Sequence, residues 1–339
     1  MSGPTVSDQY SRIPLTIVAG ATGVGKSSLV RHLLTQTTEQ IAAVVADESA
    51  VDPSLVAQRD GARLLLKNGS VCVMSDDDGS AVLAALSEQS HPPDHVVFES
   101  NAKSNPRRLT GYGYMPGYYL DGLINVVDAQ SLAAHANDLD AQDRLREHLS
   151  FAALVVVNKI DLIDDAAAEA AQRVLSRVAP MTPAVSCEYA QVAPSLLLGA
   201  PKRADSRAVV AEWSMDYMPM RRQRTGPRVS RAPDAERCRS WCLVKDMPID
   251  RHEFRIWVQR LPSAVLSGRG VVHLRDDPYH RHFFHLMGPR WRLERGRPWG
   301  RETPSTRLRL AGLIAKRRPS SRVAGDEAEP ETQWVGGPT

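Results

Sequence analysis

Residues 13–28 read Ile-Pro-Leu-Thr-Ile-Val-Ala-Gly-Ala-Thr-Gly-Val-Gly-Lys-Ser-Ser. Ile13 to Ala19 is a short apolar run that ends at Gly20, and Ser27 to Leu34 has helical character. Between them, Gly20 to Ser27 fits G-x-x-x-x-G-K-[ST] at every required position. Chemistry demands this pattern where a strand feeds a helix around a phosphate chain. Glycines let the backbone turn its N–H groups toward the phosphates. The helix start adds donors and the positive end of its dipole. Gly20, Gly23, Gly25 and Ser28 shape the loop, Lys26 reaches the β- and γ-phosphates, and the Ser27 hydroxyl ligates Mg²⁺.

Working outward, apolar runs recur at Ile41 to Ala46, His95 to Phe98, Gly122 to Val127 and Leu154 to Val157. Helical stretches alternate with them at Ala81 to Glu88, Ala141 to Leu149 and Ala166 to Val178. Buried strands alternating with helices predict an α/β domain with a mostly parallel sheet covered on both faces. Asn158-Lys159-Ile160-Asp161 directly follows the last of these runs. It has the form of the NKxD base-reading motif. Asp161 accepts from the N1 and N2 donors of guanine, for which adenine has no match. Asn158 holds the loop and the Lys159 stem covers a ring face. A site built around such a donor pair rejects ATP, and GTP is the expected nucleotide. Ser186-Cys187, after the apolar Pro183 to Val185, is a candidate for the remaining base loop.

The chain has 339 residues, of which 42% are hydrophobic and 24% charged, as in ordinary globular proteins of about two domains. The net charge of +3 hides an asymmetry. Residues 1–200 carry 14 Lys+Arg against 23 Asp+Glu, whereas residues 201–318 carry 27 against 12. That shift suggests the boundary. The expected organisation is an N-terminal tail at 1–12, a nucleotide domain at 13–200, and an Arg- and Pro-rich linker at 201–235. A smaller α+β domain follows at 236–316, then a disordered polar tail at 317–339. In the second domain, Arg251 to Arg260 reads as a helix, and Gly270 to Leu274, His282 to Leu286 and Trp291 to Glu294 read as strands.

The longest wholly apolar run, Phe151 to Val157, falls far short of the ~20 residues that span a bilayer, so no membrane is expected. The N-terminus lacks the pattern of a signal peptide, and the four Cys form no disulfide framework. A reducing, cytoplasmic location is expected.

Further segments carry a family resemblance. Asp47-Glu48-Ser49 with Asp52 looks like a switch region after the second strand. Glu99-Ser-Asn-Ala-Lys-Ser-Asn-Pro106 looks like an E-[TS]-[TS]-G-x-A-[DN]-P segment. Pro248 to Pro262, Ser267 to Gly270, Trp291 and Trp299 look like a characteristic second domain. In this order they resemble the CobW-type proteins of the G3E group of P-loop GTPases, known as metal chaperones. The resemblance implies hydrolysis of GTP to GDP and phosphate, with Lys26, Ser27 and Glu99 at the reaction centre and Glu48 or Glu99 near the Mg²⁺. It further implies delivery of Zn²⁺ or Co²⁺ to a client protein.

Two departures bear on that expectation. The family's C-x-C-C motif is reduced here to Cys72, after Asn68-Gly69; as a metal ligand it needs His or carboxylate partners, and Asp76-Asp77-Asp78 lies just beyond. As an apolar residue it is a small buried side chain. The switch glycine is Ala102, which implies slow hydrolysis. Two other metal candidates are His280, His282 and His285 with His273, and Cys238-x-x-x-Cys242, spaced like one helical turn. The alternative function is a nucleotide-gated adaptor that carries no metal and docks a protein, RNA or the ribosome through the basic second domain.

Overall fold

The computed structural model describes residues 12–37, 40–46, 48–75, 79–102, 104–199, 209–213, 215 and 227–314. The first unit is a nine-stranded sheet in the order β3-β4-β5-β2-β6-β1-β7-β8-β9. Its strands are β1 (Ile13–Ala19), β2 (Ile41–Val45), β3 (Val56–Asp60), β4 (Arg63–Leu66), β5 (Val71–Met74), β6 (His95–Glu99), β7 (Tyr118–Asp128), β8 (Leu154–Asn158) and β9 (Ala184–Ser186). β5, β2, β6, β1, β7, β8 and β9 run parallel, and β3 and β4 pair antiparallel at one edge. β1, β2, β6 and β8 are buried at every residue, which is why they read as unbroken apolar runs.

Helices cover both faces. α2 (Ser80–Ser87), α4 (Ala129–Ala134), α5 (Leu139–Leu149) and α6 (Asp165–Val178) supply one apolar layer. α1 (Lys26–Gln36) and α7 (Pro194–Leu197) supply the other, and α3 (Pro106–Gly111) follows the segment after β6. α6 shows how its sequence sets its place. Asp164 caps it by accepting from Ala167 N at 2.8 Å, and Ala168, Ala171, Val174, Leu175 and Val178 form one buried stripe.

The second unit is a six-stranded sheet in the order β10-β11-β15-β12-β13-β14. Its strands are β10 (Val209–Glu212), β11 (Cys238–Lys245), β12 (Val265–Val272), β13 (His280–Met287), β14 (Arg290–Pro298) and β15 (Thr306–Leu313). All pairings are antiparallel except β10 with β11. α8 (Arg251–Arg260) lies on one face, capped by Asp250, which accepts from His252 N and Glu253 N. It buries Phe254 and Trp257 against Trp213 and Phe284, with ring centroids 5.4–6.4 Å apart. Each such pair contributes about 0.5–1.5 kcal/mol beyond its buried area.

Several expectations change. The stretch read as a linker contains β10, and the adjoining Trp213 is buried in the second core. The edge strands β3 and β4 were not expected, because β3 (VAQRD) is largely exposed and polar. β11 and β15 add two strands to the second sheet. Cys238 and Cys242 lie on β11 rather than a helix, so four residues of strand, about 13 Å, separate them. The expected disordered tail, 317–339, lies outside the described residues. Among the described residues, no helix is long and apolar enough to cross a membrane.

Candidate nucleotide site

β1 delivers its C-terminal end into the loop Gly20 to Gly25, and α1 begins at Lys26. The glycines are required by contact as well as by turning. A Cβ at Gly20, where φ is +145°, would lie 2.3 Å from Val126 O. One at Gly25, where φ is +106°, would lie 2.4 Å from Asn158 Nδ2. The loop therefore packs directly on the Asn of the Asn158–Asp161 segment.

Lys26 is buried and its Nζ donates to Ala21 O at 2.9 Å, so the ammonium sits inside the loop's own curve. Burial lowers its pKa, and the nearby Glu99 carboxylate opposes that shift. Ser27 Oγ donates to Glu99 Oε1 at 2.6 Å. This bond joins the first turn of α1 to the end of the neighbouring strand β6. A hydroxyl and a carboxylate at one point form an all-oxygen donor set of the kind Mg²⁺ takes. Beside them, the Ser100 hydroxyl is buried without a hydrogen-bond partner. Ser28 is exposed on the same turn of α1.

Asn158, 3% exposed, ties three segments together. Its Nδ2 donates to Val24 O at 2.9 Å in the phosphate loop. Its Oδ1 accepts from Ala190 N at 2.8 Å in the segment after β9. Lys159 sits at φ +61° and its Nζ pairs with Asp128 Oδ2 at 2.6 Å. Burial pushes the Asp128 pKa up, but Lys159 and the N–H groups of Ser131 and Gln130 outweigh it and the net shift is down. Asp161 stands exposed on the turn Ile160–Leu162, at the same edge of the sheet.

Ser186 turns its polar groups toward the chain that enters the second unit. It is fully buried, its hydroxyl accepts from Ser230 N at 2.9 Å, and its own N donates to Asp234 Oδ2 at 2.9 Å. It anchors the chain entering the second unit. Cys187, the second residue of that candidate, and Ala190 reach Asn158, with Tyr189 and Ala190 at positive φ. Burial, then the Asp234 charge, pushes the Cys187 thiol up to about 12, so it stays protonated.

A cavity of about 460 Å³ adjoins the loop, lined by Gly20 to Val24, Ser100 to Ala102, Asn125 to Asp128 and the faces of α4 and α5. It lies on the loop's flank and does not include Lys26, Ser27 or Asp161.

The metal candidates fare differently. Glu48 lies on the turn Glu48–Ala50 after β2, against which Arg31 of α1 donates to Ser49 O. Asp47 and Asp76 to Asp78 lie outside the described residues. Asp52 caps its own turn, accepting from Ser54 N at 2.9 Å. Cys72 is fully buried on β5, paired with Ala43 of β2 and Leu64 of β4 inside the apolar layer. The second-domain histidines divide. His280 and His282 both approach Asp277, at 2.8 and 3.5 Å, with His282 buried near Arg251, whereas His285 turns to Tyr119 of the first unit. Among the described residues, no group of three or more His, Cys, Asp or Glu could hold a metal ion.

Sequence reasoning missed Asp128 as the partner of Lys159 and Asp234 as the anchor of Ser186. It also missed the network joining the units. Arg269 of β12 pairs with Asp121 of β7 and donates to His95 Nδ1 at 2.9 Å. Guanidinium has no acceptor, so His95 carries its proton on Nε2, 2.8 Å from Thr16 Oγ1. The only sequence signal was an Arg in the Ser267 to Gly270 segment.

Comparison with known proteins matches residues 14–186 to the model of the CobW/HypB/UreG nucleotide-binding domain. Residues 238–317 match the cobalamin synthesis protein cobW C-terminal domain. A zinc chaperone CobW from Sinorhizobium sp is 27% identical over 58% of this chain and 64% of its own length. A zinc chaperone YjiA from Escherichia coli is 23% identical over 89% of this chain and 94% of its own. The chain thus spans less than two thirds of the Sinorhizobium relative. The crystal structure of Zn(II)-bound YjiA GTPase from E. coli covers 90% of this chain and 95% of that chain at 22% identity, with a TM-score of 0.41. With its nucleotide domain and its C-terminal domain both matched in order, this chain belongs to the CobW/HypB/UreG family.

Proposed function

We propose that the chain hydrolyses GTP to GDP and phosphate and uses that cycle to deliver a metal ion to a client protein. The observation that carries the nucleotide part is the Ser27–Glu99 bond of 2.6 Å beside a glycine loop locked onto Asn158. In this reading the loop N–H groups and the start of α1 receive the phosphates. Lys26 exchanges Ala21 O for the β- and γ-phosphate oxygens. Ser27 would hold Mg²⁺, with Glu99 coordinating it directly or through water, and Glu48 is a second candidate. Bound there, Mg²⁺ neutralises charge on the phosphate oxygens. Asp161, exposed at the base edge, accepts from guanine N1 and N2.

Water then attacks the γ-phosphate and GDP leaves, with positioning and electrostatics supplying most of the rate. Among the described residues, no side chain stands as a base. Ala102 occupies the switch glycine position, and we read hydrolysis as slow.

The cargo reading rests on relatives named zinc chaperones. One observation favours a second reading: Cys72 is enclosed between β2 and β4, where it packs as a core residue. That placement suits an adaptor that docks a protein or RNA partner through the basic second unit and carries no metal. GTP turnover with zinc titration of wild type and Cys72→Ala separates the two. Turnover with tight zinc binding supports delivery, zinc binding that survives Cys72→Ala excludes that thiol, and turnover without zinc binding supports the adaptor.

A further inference from the structure

On the face of the second sheet turned to the first unit, four basic or ionisable side chains lie in one cross-strand row. Arg309 of β15 stands opposite Arg269 of β12, Arg269 opposite His285 of β13, and His285 opposite Arg292 of β14. Two residues along, the next row on the same face holds Arg307, Val271, Phe283 and Glu294. Directly opposed side chains sit about 5 Å apart at Cβ, so like charges in such a row repel.

The protein answers part of that repulsion itself. Asp121 pairs with Arg269, Glu294 pairs with Arg292 at 2.9 Å, and the Tyr119 ring lies 5.1 Å from the Arg292 guanidinium. Arg307 and Arg12 remain exposed. These rows wall a cleft of about 530 Å³ between the units, whose opposite wall includes Arg12, Pro92, Pro93 and Asp94. Five arginines line it with the carboxylates of Asp94 and Glu294; of the five, Arg269 is paired with Asp121 and Arg295 with Asp277. The volume is that of a small-molecule site.

The cleft is separate from the nucleotide site. It meets the first sheet where β1 and β6 begin, at Ile13 and Asp94, whereas the phosphate loop and Glu99 lie where those strands end. The seven residues of β1 put roughly 20 Å between them.

We propose that this cleft binds a small phosphorylated molecule, held by its phosphate between Arg307 and Arg309, beside the paired Arg269. Guanidinium forks match pairs of phosphate oxygens. One dianionic phosphate offsets adjacent arginines better than a singly charged carboxylate. Phe283, Val271, Pro92 and Pro93 offer apolar contact to the remainder of the molecule. The first unit closes over the row, which favours a compact ligand over a polymer.

The test uses the full chain saturated with GDP and Mg²⁺, so that the phosphate loop is filled. Phenyl phosphate, benzoate and a ten-residue uridine RNA are each titrated, with binding read by calorimetry and ligand NMR. Phenyl phosphate should bind at least tenfold more tightly than benzoate. The Arg307→Gln, Arg309→Gln double variant should weaken it at least tenfold, and the exposed single variant Arg307→Gln should weaken it measurably with an unchanged melting temperature. Absence of binding, equal binding of benzoate, or wild-type affinity in the double variant overturns the proposal. So does RNA binding through the same arginines without binding of phenyl phosphate.

Discussion

Ser27 Oγ donates to Glu99 Oε1 at 2.6 Å across 72 residues of sequence, joining the start of α1 to the end of β6. Two oxygens that hard cations favour are thus held together by a helix start and a strand end at the loop. Ser27→Ala or Glu99→Gln should lower GTP turnover by about 10²-fold, the scale of losing one preorganised transition-state contact. Phosphate release assayed at saturating GTP checks this. Turnover within threefold of wild type would show that neither residue serves the reaction.

Asp161 is exposed on the turn that follows β8 while Asn158 is locked inward. Asp161→Asn replaces an acceptor pair with an amide that can donate, so guanine loses its match and xanthine, with O2 in place of the amino group, gains one. Affinity for GTP should fall by roughly 10²-fold or more, and xanthosine triphosphate should become the preferred nucleotide. Competition binding with both nucleotides reads the outcome.

Gly25→Ala tests the loop's contact with Asn158. Its Cβ would lie 2.4 Å from Asn158 Nδ2 at a backbone angle that favours glycine. The variant should lose most GTP binding, because the loop must move off Asn158 and break the Asn158 Nδ2–Val24 O bond. Since the strain is confined to the loop, its far-UV circular dichroism should match wild type.

The buried pair Asp121–Arg269 joins the two units, with side-chain exposures of 1% and 17%. Removing one partner leaves a buried charge, so Asp121→Asn or Arg269→Ala should cost about 3–5 kcal/mol. Urea unfolding checks the value. The double variant Asp121→Asn, Arg269→Met should recover part of the loss, because no charge is stranded.

Acid should destabilise the junction through its histidines. Burial lowers the His285 pKa to about 4, with Asp121 opposing and Arg269 and Arg292 adding to the shift. Burial, then Arg269, also lowers His95 well below its usual value. Both are neutral when folded, whereas the unfolded chain protonates them near pH 6.5. Their contribution is therefore present above about pH 6.5 and lost as pH falls toward 4. Each contributes a slope of about 1.4 kcal/mol per pH unit within that window. Urea midpoints at pH 7.5 and 5.5 measure it, and His285→Gln should flatten the dependence.

The sequence made local features legible and long-range ones opaque. Gly20 to Ser28 and Asn158 to Asp161 could be read because each is a continuous stretch whose residues act together. β1, β2, β6 and β8 could be read because both faces of a parallel strand are buried. β3 could not, because an exposed edge strand carries no apolar pattern. Ser186 was read by its position after a strand, yet its hydroxyl and N–H turn to Ser230 and Asp234, 44 and 48 residues away. Arg269 and Asp121 lie 148 residues apart, and nothing in either segment announces the other. Cys72 could be weighed as ligand or core residue but not placed until β2 and β4 closed around it.

The most direct test of the central claim is a binding and turnover measurement on the full chain with Mg²⁺, comparing GTP and ATP side by side. The account predicts that GTP binds at least 10²-fold more tightly than ATP and is converted to GDP and phosphate. Equal affinity for the two nucleotides, or GTP bound without any conversion to GDP, would contradict it.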